Sequence, residues 1–456
     1  MGLAGVSRSG QLGAGKFGRG KLGNAFSQFT SGRTASPLRA TNNADFLGTS
    51  WHTFGSSQLQ HKSRQARWIG AGARSDLVIS FTNFIMSPAG VVLATSGYTI
   101  QECYLENEAE TLSVQVLFGG AATRVVAAGD TDINSDPIYP SAFSLGSFAL
   151  GSKWWIRARI SVASNGDTLP LSMPYNQFVP RGGTFPSWLG WAYDPAVNTT
   201  TGAISGTGTI GLGTGVGDDT HCPTIVLLGR FVSGDPMTWT CLGDSTADAS
   251  TDTLTGNGYA GQFSRALIND AFNGGYGAGI GMAASGAKAQ MWTGGSNVTK
   301  ATAYWKYTKG AVESFGANHF NIGAGAGDSL VTIQGVVQSL WTMLRAQGIT
   351  EILRLTVRSR TTSTDLWATL ANQTPISADY DTGGLAEQFN TWLSTQISGT
   401  AISAVLPLTT SRHPSDDWSW PVTGAANYAT PDGIHPSSAI HALEATALRA
   451  AMALYP

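Results

Sequence analysis

The stretch "MTWTCLGDSTADAS", residues 237–250, passes from an apolar, strand-like run into a Gly-Asp-Ser loop. The residues after it have the spacing of a helix in "YAGQFSRALINDAF" (259–272), and a second strand-like run, "AGIGMAA" (278–284), comes next. A strand, a loop, a helix and another strand in this order predict a parallel βαβ unit. Because functional groups collect at the carboxyl ends of the strands in such sheets, Ser245 is a candidate functional residue.

The same alternation continues along the chain and predicts a doubly wound α/β/α domain with a parallel sheet over residues 237–456. We expect its further strands and helices, in chain order, in "ANHFNIGA" (317–324), "VVQSLWTMLRAQG" (336–348), "EILRLTVRS" (351–359), "LAEQFNTWLSTQ" (385–396), "AISAVLPL" (401–408) and "SAIHALEATALRAAMAL" (438–454). Gly348, at the end of the first of these helices, is typical of a helix C-cap.

Residues 46–236 show a different pattern, in which short β-type runs are separated by Gly, Pro, Asn and Asp. The runs "SDLVISFTNFIMS" (75–87) and "KWWIRARISVAS" (153–164) are examples, with partial alternation of apolar and polar residues. This pattern predicts an all-β sandwich, jelly-roll-like in arrangement. Residues 175–222 are richer in loop residues and are interpreted as a long excursion that packs against the next domain.

Residues 1–45 are rich in Gly and Ser and contain six Arg or Lys residues before the first acidic residue, Asp45. A segment of this composition cannot bury enough apolar surface to fold alone. We interpret it as a basic arm, or anchor, that orders against a partner chain. A flexible leader is the alternative interpretation.

Composition limits the classes of partner. The 456 residues are 42% hydrophobic and only 12% charged, with a formal net charge of −2. This balance argues against nucleic acid or an anionic membrane as the main partner. No apolar run approaches 18 residues and the first residues lack an apolar core, so we expect neither a transmembrane helix nor a signal peptide. The three cysteines are too few and too scattered for a disulfide framework or a structural zinc site.

Asp432 and His435 share a short loop in "TPDGIHPSSAIHALEA" (430–445), just before the last predicted helix. An Asp-x-x-His loop can place the carboxylate on one imidazole nitrogen and leave the other nitrogen to accept a serine proton. Alone the motif is common and usually structural. Together with Ser245 in the same α/β domain, it predicts a Ser-His-Asp catalytic triad.

Residues 237–456 resemble the SGNH (GDSL-type) hydrolase superfamily. The resemblance is carried by "CLGDSTAD", by "GMAASGAK" and by "PDGIHPSSAIHALEA", which match the first, second and fifth conserved blocks of that superfamily. It implies a flavodoxin-like fold in which Ser245 is the nucleophile, His435 the base and Asp432 its partner. It also implies that the backbone N–H groups of Ser245 and Gly286 bind the oxyanion, with no metal or organic cofactor.

A second Gly-Asp-Ser occurs in "FNIGAGAGDSLVT" (320–332). If Ser329 were the nucleophile, the unit at 237–290 would have no place in the family fold, and too few residues would follow for a complete domain. Counting from a predicted strand that begins at Asn318, the third block (Gly-x-Asn-Asp) falls on 325–328. Its oxyanion asparagine is then replaced by Gly327.

Two sources of a replacement donor are open. The Gly327 N–H could approach the oxyanion if the loop lies close, because glycine adopts unusual backbone angles. Arg358 or Arg360, in "LTVRSRTTS" (355–363), could supply a donor instead, although either arginine is equally explained by a salt bridge. Trp418 and Trp420 could stack on a sugar ring or could simply pack in the interior.

These features predict a serine esterase that removes ester groups, O-acetyl above all, from a carbohydrate. The β module, the arm and the absence of a signal peptide favour an appendage of a bacteriophage virion that acts on a host surface glycan. In that setting we expect a homo-oligomer, with a virion partner for the arm. The alternative is a structural or glycan-binding virion protein whose SGNH domain is catalytically impaired, an alternative motivated by Gly327.

Overall fold

The computed structural model describes residues 36–42, 45–54, 59–172, 204–208, 222–252, 261–267, 277–320, 327–416 and 418–455. These residues belong to one compact unit, Ser36–Pro456. Residues 1–35 of the predicted arm and most of the predicted excursion at 175–222 lie outside the described residues. No helix in the described part of the chain is both long enough and apolar enough to cross a membrane.

The first part of the chain forms antiparallel strands. Their bounds are β1 Leu38–Ala40, β2 Asp45–Phe46, β3 Ser50–Thr53, β4 Gln60–Trp68, β5 Val78–Phe81, β6 Phe84–Ser87, β7 Gly90–Leu93, β8 Tyr98–Asn107, β9 Ser113–Gln115, β10 Arg124–Val126, β11 Ile133–Asn134, β12 Lys153–Ser161, β13 Thr168–Ser172, β14 Cys222–Pro223 and β15 Ile225–Arg230. Strand β2 is the exception, because it pairs in parallel with a strand of the second part.

Two antiparallel sheets share a core. One has the order β1-β15-β5-β11, and the other has the order β10-β8-β12-β4 with β9 beside β8. Alternation along β12 explains the packing, since Ile156 and Ile160 are fully buried against Ile79 and Leu227 of the first sheet. The all-β prediction is therefore confirmed as a sandwich, and the finer jelly-roll-like arrangement stays a prediction.

The second part of the chain forms a parallel sheet with helices. Its strands are β16 Trp239–Gly243, β17 Gly279–Ala283, β18 Gly310–Glu313, β19 Glu351–Leu355 and β22 Ala404–Leu406, and a separate hairpin consists of β20 Thr361–Ser363 and β21 Gln373–Pro375. The helices are α1 Gly261–Leu267, α2 Gln290–Thr293, α3 Thr299–Thr302, α4 Leu330–Ala346, α5 Leu385–Ser394 and α6 Ser438–Met452, with short 3-10 turns at Pro140–Phe143, Trp305–Tyr307, Leu370–Asn372, Ala378–Tyr380 and Thr409–Ser411.

The sheet order is β2-β17-β16-β18-β19-β22, with every pair parallel. Without β2 this is the flavodoxin-like order 2-1-3-4-5. Adjacent residues of β18 point to opposite faces, so Ala311 packs in the core with helices α4 and α5 while Val312 packs with α1 and α6. The prediction of a doubly wound α/β/α sheet is confirmed.

The strands β1 and β2 lie in a segment that the sequence assigned to the arm or to its end. Strand β1 pairs with β15 of the sandwich, whereas β2 pairs with β17 of the parallel sheet. Ala40 and Leu47 are buried in the core, at 0% and 2% exposure. These buried apolar side chains hold residues 38–42 and 45–47 against both sheets, so these residues are not part of a free arm.

The prediction of a strand that begins at Asn318 is wrong for its described residues, 318–320, and its remaining residues, 321–324, lie outside the described part of the chain. The strand is β18, Gly310–Glu313, and residues 315–319 form turns. Gly316, three residues beyond the end of β18, has a φ of +138°, a conformation that side-chain-bearing residues rarely adopt. The backbone therefore no longer follows the strand direction at this point. The strand was missed because it has only four residues and begins with glycine, whose missing side chain lets the Trp239 ring pack directly on the backbone.

Candidate active site

Ser245 lies at the carboxyl end of β16, the central strand of the parallel sheet. The strand ends at Gly243, where an added Cβ would come within 2.2 Å of Ser314 Oγ and 2.5 Å of the Ala247 side chain. Only glycine fits this close approach, which lets the loop turn sharply after the strand. Thr246 N–H donates to Asp244 Oδ1 (3.0 Å), and Ser250 N–H donates to Ser245 O (2.9 Å). These bonds hold the serine in a fixed turn at the edge of the sheet.

The structure brings the three predicted triad residues together. Ser245 Oγ lies 2.8 Å from His435 Nε2, and His435 Nδ1 lies 2.7 Å from Asp432 Oδ2. Because a carboxylate only accepts, Nδ1 carries the proton and Nε2 is free to accept the serine hydroxyl. The imidazole is therefore oriented as a general base toward Ser245.

Asp432 is held as a carboxylate. Its Oδ1 accepts the backbone N–H groups of Ile434 and His435, each at 2.8 Å. Partial burial acts to raise the pKa of Asp432, but the hydrogen bonds from His435 and from these N–H groups outweigh it and lower the pKa to about 2. The residue that faces the imidazole is therefore negatively charged at neutral pH.

The loop that carries Asp432 and His435 packs closely on Thr361 and Trp420 through Gly433. Gly433 has a φ of +78°, and an added Cβ would lie 1.9 Å from Thr361 O. Its carbonyl accepts the N–H of Thr361 (3.1 Å) and the indole N–H of Trp420 (3.0 Å). Trp420 is fully buried and Trp418 is 3% exposed, with Arg412 over the latter ring. Of the two interpretations for these tryptophans, burial supports packing and excludes a sugar-stacking face.

The last helix ties this loop to the serine loop. His441 of α6 is buried, and its Nε2 lies 3.2 Å from Ser250 O. Thr251 Oγ1 donates to Pro436 O (2.7 Å). Both contacts join residues near Ser245 to residues near His435, so the two halves of the candidate triad are held at a fixed distance.

Gly286 lies at the same edge of the sheet, beyond the end of β17. It is exposed and has a φ of +78°. Its neighbourhood is joined to the serine loop, since Ala284 N–H donates to Gly243 O (3.2 Å). This position is compatible with the oxyanion role that the resemblance implies for the Gly286 N–H, which stays a prediction.

The residues Gly316-Ala317-Asn318 directly follow β18, which makes them a better match than 325–328 to the third block of the superfamily that the sequence resembles. The Asn318 side chain donates from Nδ2 to Ala287 O at 3.1 Å, next to Gly286, and its Oδ1 accepts from Arg360 at 3.1 Å. The block was missed because the expected strand started eight residues too late and because His319 follows the asparagine where the family has aspartate. The signal was present in the letters "GANH" (316–319).

Gly327 lies elsewhere, just before helix α4. The adjacent Asp328 accepts hydrogen bonds from Lys288 Nζ (3.0 Å), from His319 Nδ1 (3.0 Å) and from Gln290 (3.3 Å). The register that assigned Gly327 to the oxyanion asparagine position counted from a strand beginning at Asn318, and the described residues 318–320 form a turn and a bend instead, so that register loses its basis. Asp328 instead connects helix α4 to the loops that follow β17 and β18.

His319 is buried between those two loops. Its Nε2 accepts the Ala289 N–H at 3.0 Å while Nδ1 donates to Asp328. Burial lowers the pKa of His319 to about 4, and the hydrogen bond and charge of Asp328 oppose this only in part. The neutral ring therefore links the loop of Gly286 to the loop of Asn318.

Arg358 and Arg360 have separate partners. Arg358 forms two 2.8 Å bonds to the buried carboxylate of Glu444 and a 2.9 Å bond to Gln262. It is therefore engaged in a salt bridge, one of the two interpretations left open for it. Arg360 has a different partner, because its guanidinium directly contacts the side chain of Asn318.

No protein-family model matches the chain, and no curated protein matches it. Several solved structures are similar to this chain. One is a carbohydrate esterase of family 2 with a carbohydrate-binding domain, from Corynascus thermopiles (Myceliophthora fergusii). It is 12% identical, the match covers 89% of this chain and 99% of that chain, and the TM-score is 0.33. A GDSL-like lipase from Parabacteroides merdae is 14% identical over 48% of this chain and 96% of its own (TM-score 0.34). An acetyl xylan esterase is 13% identical over 47% of this chain and 98% of its own (TM-score 0.33).

These structures include the GDSL type that the sequence resembles. Their TM-scores are too low to assign a role to any residue of this chain. The roles proposed below rest on the geometry of the site itself.

Proposed function

We propose that this chain is a serine esterase that hydrolyses ester groups, O-acetyl above all, on a carbohydrate. The observation that carries the proposal is the continuous chain of hydrogen bonds from Ser245 Oγ through His435 to Asp432. A serine hydroxyl, an imidazole with the right tautomer and a charged carboxylate in this order are the parts that nucleophilic acyl transfer requires.

In the first half of the reaction, Ser245 Oγ bonds to the ester carbonyl carbon and its proton passes to His435 Nε2. Asp432 stabilises the imidazolium that forms. The bond between the carbonyl carbon and the sugar oxygen then breaks, and His435 returns the proton to that oxygen. The sugar leaves as an alcohol and the acyl group remains on Ser245.

In the second half, a water molecule repeats these steps. It loses a proton to His435 as its oxygen attacks the acyl carbon, and the bond to Ser245 Oγ breaks. Ser245 recovers its proton, and the acyl group leaves as the carboxylic acid. Since both halves use the same proton acceptor, the mechanism needs no second general base from the chain.

Three donors are proposed for the negative oxygen of the tetrahedral intermediates: the backbone N–H groups of Ser245 and Gly286 and the side chain of Asn318. Asn318 Nδ2 has two N–H bonds and donates one to Ala287 O, which leaves the second for the oxyanion. Donors that are held in place before the reaction stabilise the charge without reorganising, and this is a large part of enzymatic rate enhancement.

The alternative of a catalytically impaired domain rested on Gly327 in the place of an oxyanion asparagine. Our proposal of Asn318, which follows β18, as the oxyanion asparagine removes that motivation. A structural or glycan-binding role without hydrolysis remains a possible outcome of the experiment below rather than a second proposal.

For the biological setting we propose a virion appendage acting on a host surface glycan, with the N-terminal residues as the attachment to a partner chain. The support is the basic, Gly-rich composition before Asp45 and the presence of a β sandwich packed beside the candidate hydrolase domain. Deletion of residues 1–35 tests it: the expected result is unchanged esterase activity together with loss of incorporation into the particle.

The enzymatic proposal is tested by measuring p-nitrophenol release from p-nitrophenyl acetate and acetate release from an O-acetylated polysaccharide. The wild type is expected to act on both, and Ser245→Ala on neither. Ser329→Ala is the matched control, because it makes the same substitution in the second Gly-Asp-Ser tripeptide. Equal background rates for wild type and Ser245→Ala on both substrates would contradict the proposal, and retained binding of the polysaccharide would then favour the alternative.

A further inference from the structure

Arg360 is a buried cation beside the side chain of Asn318. It is 2% exposed, and one of its guanidinium nitrogens donates to Asn318 Oδ1 at 3.1 Å. Among the described residues no carboxylate lies within 4.0 Å of it, and its buried Nε has no hydrogen-bond acceptor. Its positive charge is therefore not neutralised by an ion pair in the described part of the chain.

Two other buried arginines of the same stretch show the usual arrangement. Arg354 Nε lies 2.8 Å from the carboxylate of Glu313, and Arg358 pairs with Glu444; both glutamates are fully buried. A buried charge is costly unless an opposite charge or several hydrogen bonds compensate it. Arg360 departs from this pattern at the point where the chain reaches the candidate oxyanion site.

The contacts of Asn318 determine which end of its amide faces which partner. An arginine guanidinium can only donate, so the amide end that it contacts is the oxygen. The Ala287 carbonyl can only accept, so the opposite end is the nitrogen. Arg360 therefore selects the orientation in which the Asn318 N–H bonds point toward the loop of Gly286.

The loop of Asn318 is also held at the preceding residue, Ala317. The Tyr380 hydroxyl donates to Ala317 O at 2.5 Å, and the Arg360 guanidinium lies over the Tyr380 ring at 5.7 Å. Arg360 is thereby clamped between this ring and the amide. Its charge stays close to Asn318 instead of moving into solvent.

We propose that Arg360 is a positioning residue of the oxyanion site: it orients the Asn318 amide, and its charge, which has no ion-pair partner among the described residues, favours the negative tetrahedral intermediate over the neutral ester. This inference rests on the proposed esterase function. A donor that is polarised by a cation on its far side is a stronger donor. The effect is larger in the charged intermediate than in the bound ester, so it acts on kcat more than on KM.

The test is a double-mutant cycle of Arg360→Met and Asn318→Ala, measured with p-nitrophenyl acetate. Arg360→Met alone is expected to lower kcat by about 10- to 100-fold and to change KM by less than about threefold. In the Asn318→Ala background the same substitution is expected to cost less than about threefold, because the group through which it acts is absent. Arg360→Lys, which keeps the charge, is expected to restore part of the lost kcat.

The outcomes separate the two proposals. Equal background rates for wild type and Ser245→Ala would overturn both. An active wild type with the same loss of kcat from Arg360→Met in both backgrounds, or with a change in KM alone, would overturn the role of Arg360 and leave the esterase. If Arg360→Met does not fold, Arg360→Lys and Arg360→Gln take its place in the cycle, and equal kcat for these two would exclude a role for the charge.

A separate contact joins the sandwich to the candidate site. The tip of the β6–β7 hairpin, residues 87–90, lies against the loop of Gly286: an added Cβ on Gly286 would lie 3.7 Å from Pro88 Cγ. Ser296 N–H donates to Ala89 O (3.2 Å) and Val91 N–H donates to Ser296 O (2.8 Å). Main-chain bonds in both directions fix the hairpin on the hydrolase domain.

The outer side of this contact is open to solvent. Pro88, Ala89, Ser285 and Gly286 are all exposed. We infer that the hairpin tip is a subsite for the glycan that carries the ester, so that the sandwich contributes directly to substrate binding. This inference also rests on the proposed function, and it concerns the polymer rather than the acyl group.

Ala89→Gln, a larger but uncharged side chain, tests the subsite, because the Ala89 side chain is exposed and its backbone bonds to Ser296 are kept. The expected result is a rise of about fivefold or more in KM for an O-acetylated polysaccharide, with kcat/KM for p-nitrophenyl acetate within about twofold of wild type. Val125→Gln, at a site on β10 that is 66% exposed, is the matched control. An unchanged KM for the polysaccharide, or an equal effect on both substrates, would overturn the inference.

Discussion

The two Gly-Asp-Ser tripeptides of this chain, 243–245 and 327–329, have the same letters and opposite surroundings. Ser245 lies two residues beyond the end of a central strand, is 5% exposed and contacts His435. Ser329 is exposed and caps helix α4, where its Oγ accepts the Thr332 N–H at 3.2 Å. The difference shows that the position of a motif relative to the end of a strand, rather than its letters, determines whether it can be catalytic.

The two aspartates differ in the same way. Asp244 is buried and bonds locally to Thr246, whereas Asp328 binds Lys288 and His319 from two other loops. The first tripeptide shapes the turn around the proposed nucleophile, and the second connects a helix to loops at the edge of the candidate site. Each prediction below tests one side of this contrast.

The largest expected effect is on the nucleophile. Ser245→Ala is expected to lower kcat for p-nitrophenyl acetate by about 10⁴-fold or more, the scale seen when a serine nucleophile is removed. Ser329→Ala is expected to leave kcat within about twofold. A large loss from Ser329→Ala, with Ser245→Ala active, would reverse the assignment of the two tripeptides.

The second prediction concerns the third oxyanion donor. Asn318→Ala is expected to lower kcat by about 10²- to 10³-fold, because it removes a preorganised donor from the charged intermediate. Gly327→Ala is expected to have a much smaller effect. Steady-state kinetics of the two variants decide between the positions, and a larger loss at Gly327 would restore the register read from the sequence.

The third prediction is a pH dependence of stability. The pKa of His319 is lowered from 6.5 to about 4 in the folded chain, so the unfolded chain binds a proton that the folded chain does not between these values. Stability is therefore retained above pH 6.5 and is lost as the pH falls toward 4, by about 3 kcal/mol in total. Urea unfolding at several pH values in this window measures the loss.

The matched variant is His319→Gln, which has no titrating ring. Its stability is expected to be lower at pH 7 and to fall less steeply between pH 6.5 and 4 than that of the wild type. Parallel curves for the two proteins would show that His319 is not the group responsible.

The smallest expected effect is that of the helix cap. Ser329→Ala is expected to destabilise the protein by about 1 kcal/mol, the usual value of a serine N-cap. Ser437→Ala removes the corresponding cap of α6, two residues after His435, where Ser437 Oγ accepts the Ile440 N–H. Thermal denaturation is expected to give the larger loss for Ser437→Ala, because Ser437 Oγ also donates to Tyr428 O at 2.5 Å. The value of kcat is expected to fall only for Ser437→Ala, and equal kcat values for the two variants would mean that α6 does not position His435.

Much of the site is encoded locally and could be predicted. Asp432 and His435 are three residues apart, so their contact depends on one short loop, and Ser245 follows a clear apolar strand. The third block was not predictable by the same means. Its strand β18 is four residues long and is preceded by short helical turns, so its apolar pattern is too short to distinguish from its surroundings.

The sequence by itself determined the alternation of strands and helices, the separation of a β-rich half from an α/β half and the residues proposed as the triad. Only the tertiary structure decided that the Asn318 side chain contacts the loop of Gly286, that Arg358 has a carboxylate partner while Arg360 has an amide, and that β2 joins the parallel sheet. The physical reason is that periodicity is a property of neighbouring residues, whereas hydrogen bonds and charge pairing join residues that are distant along the chain. Such partners become identifiable only when the register of every strand is known.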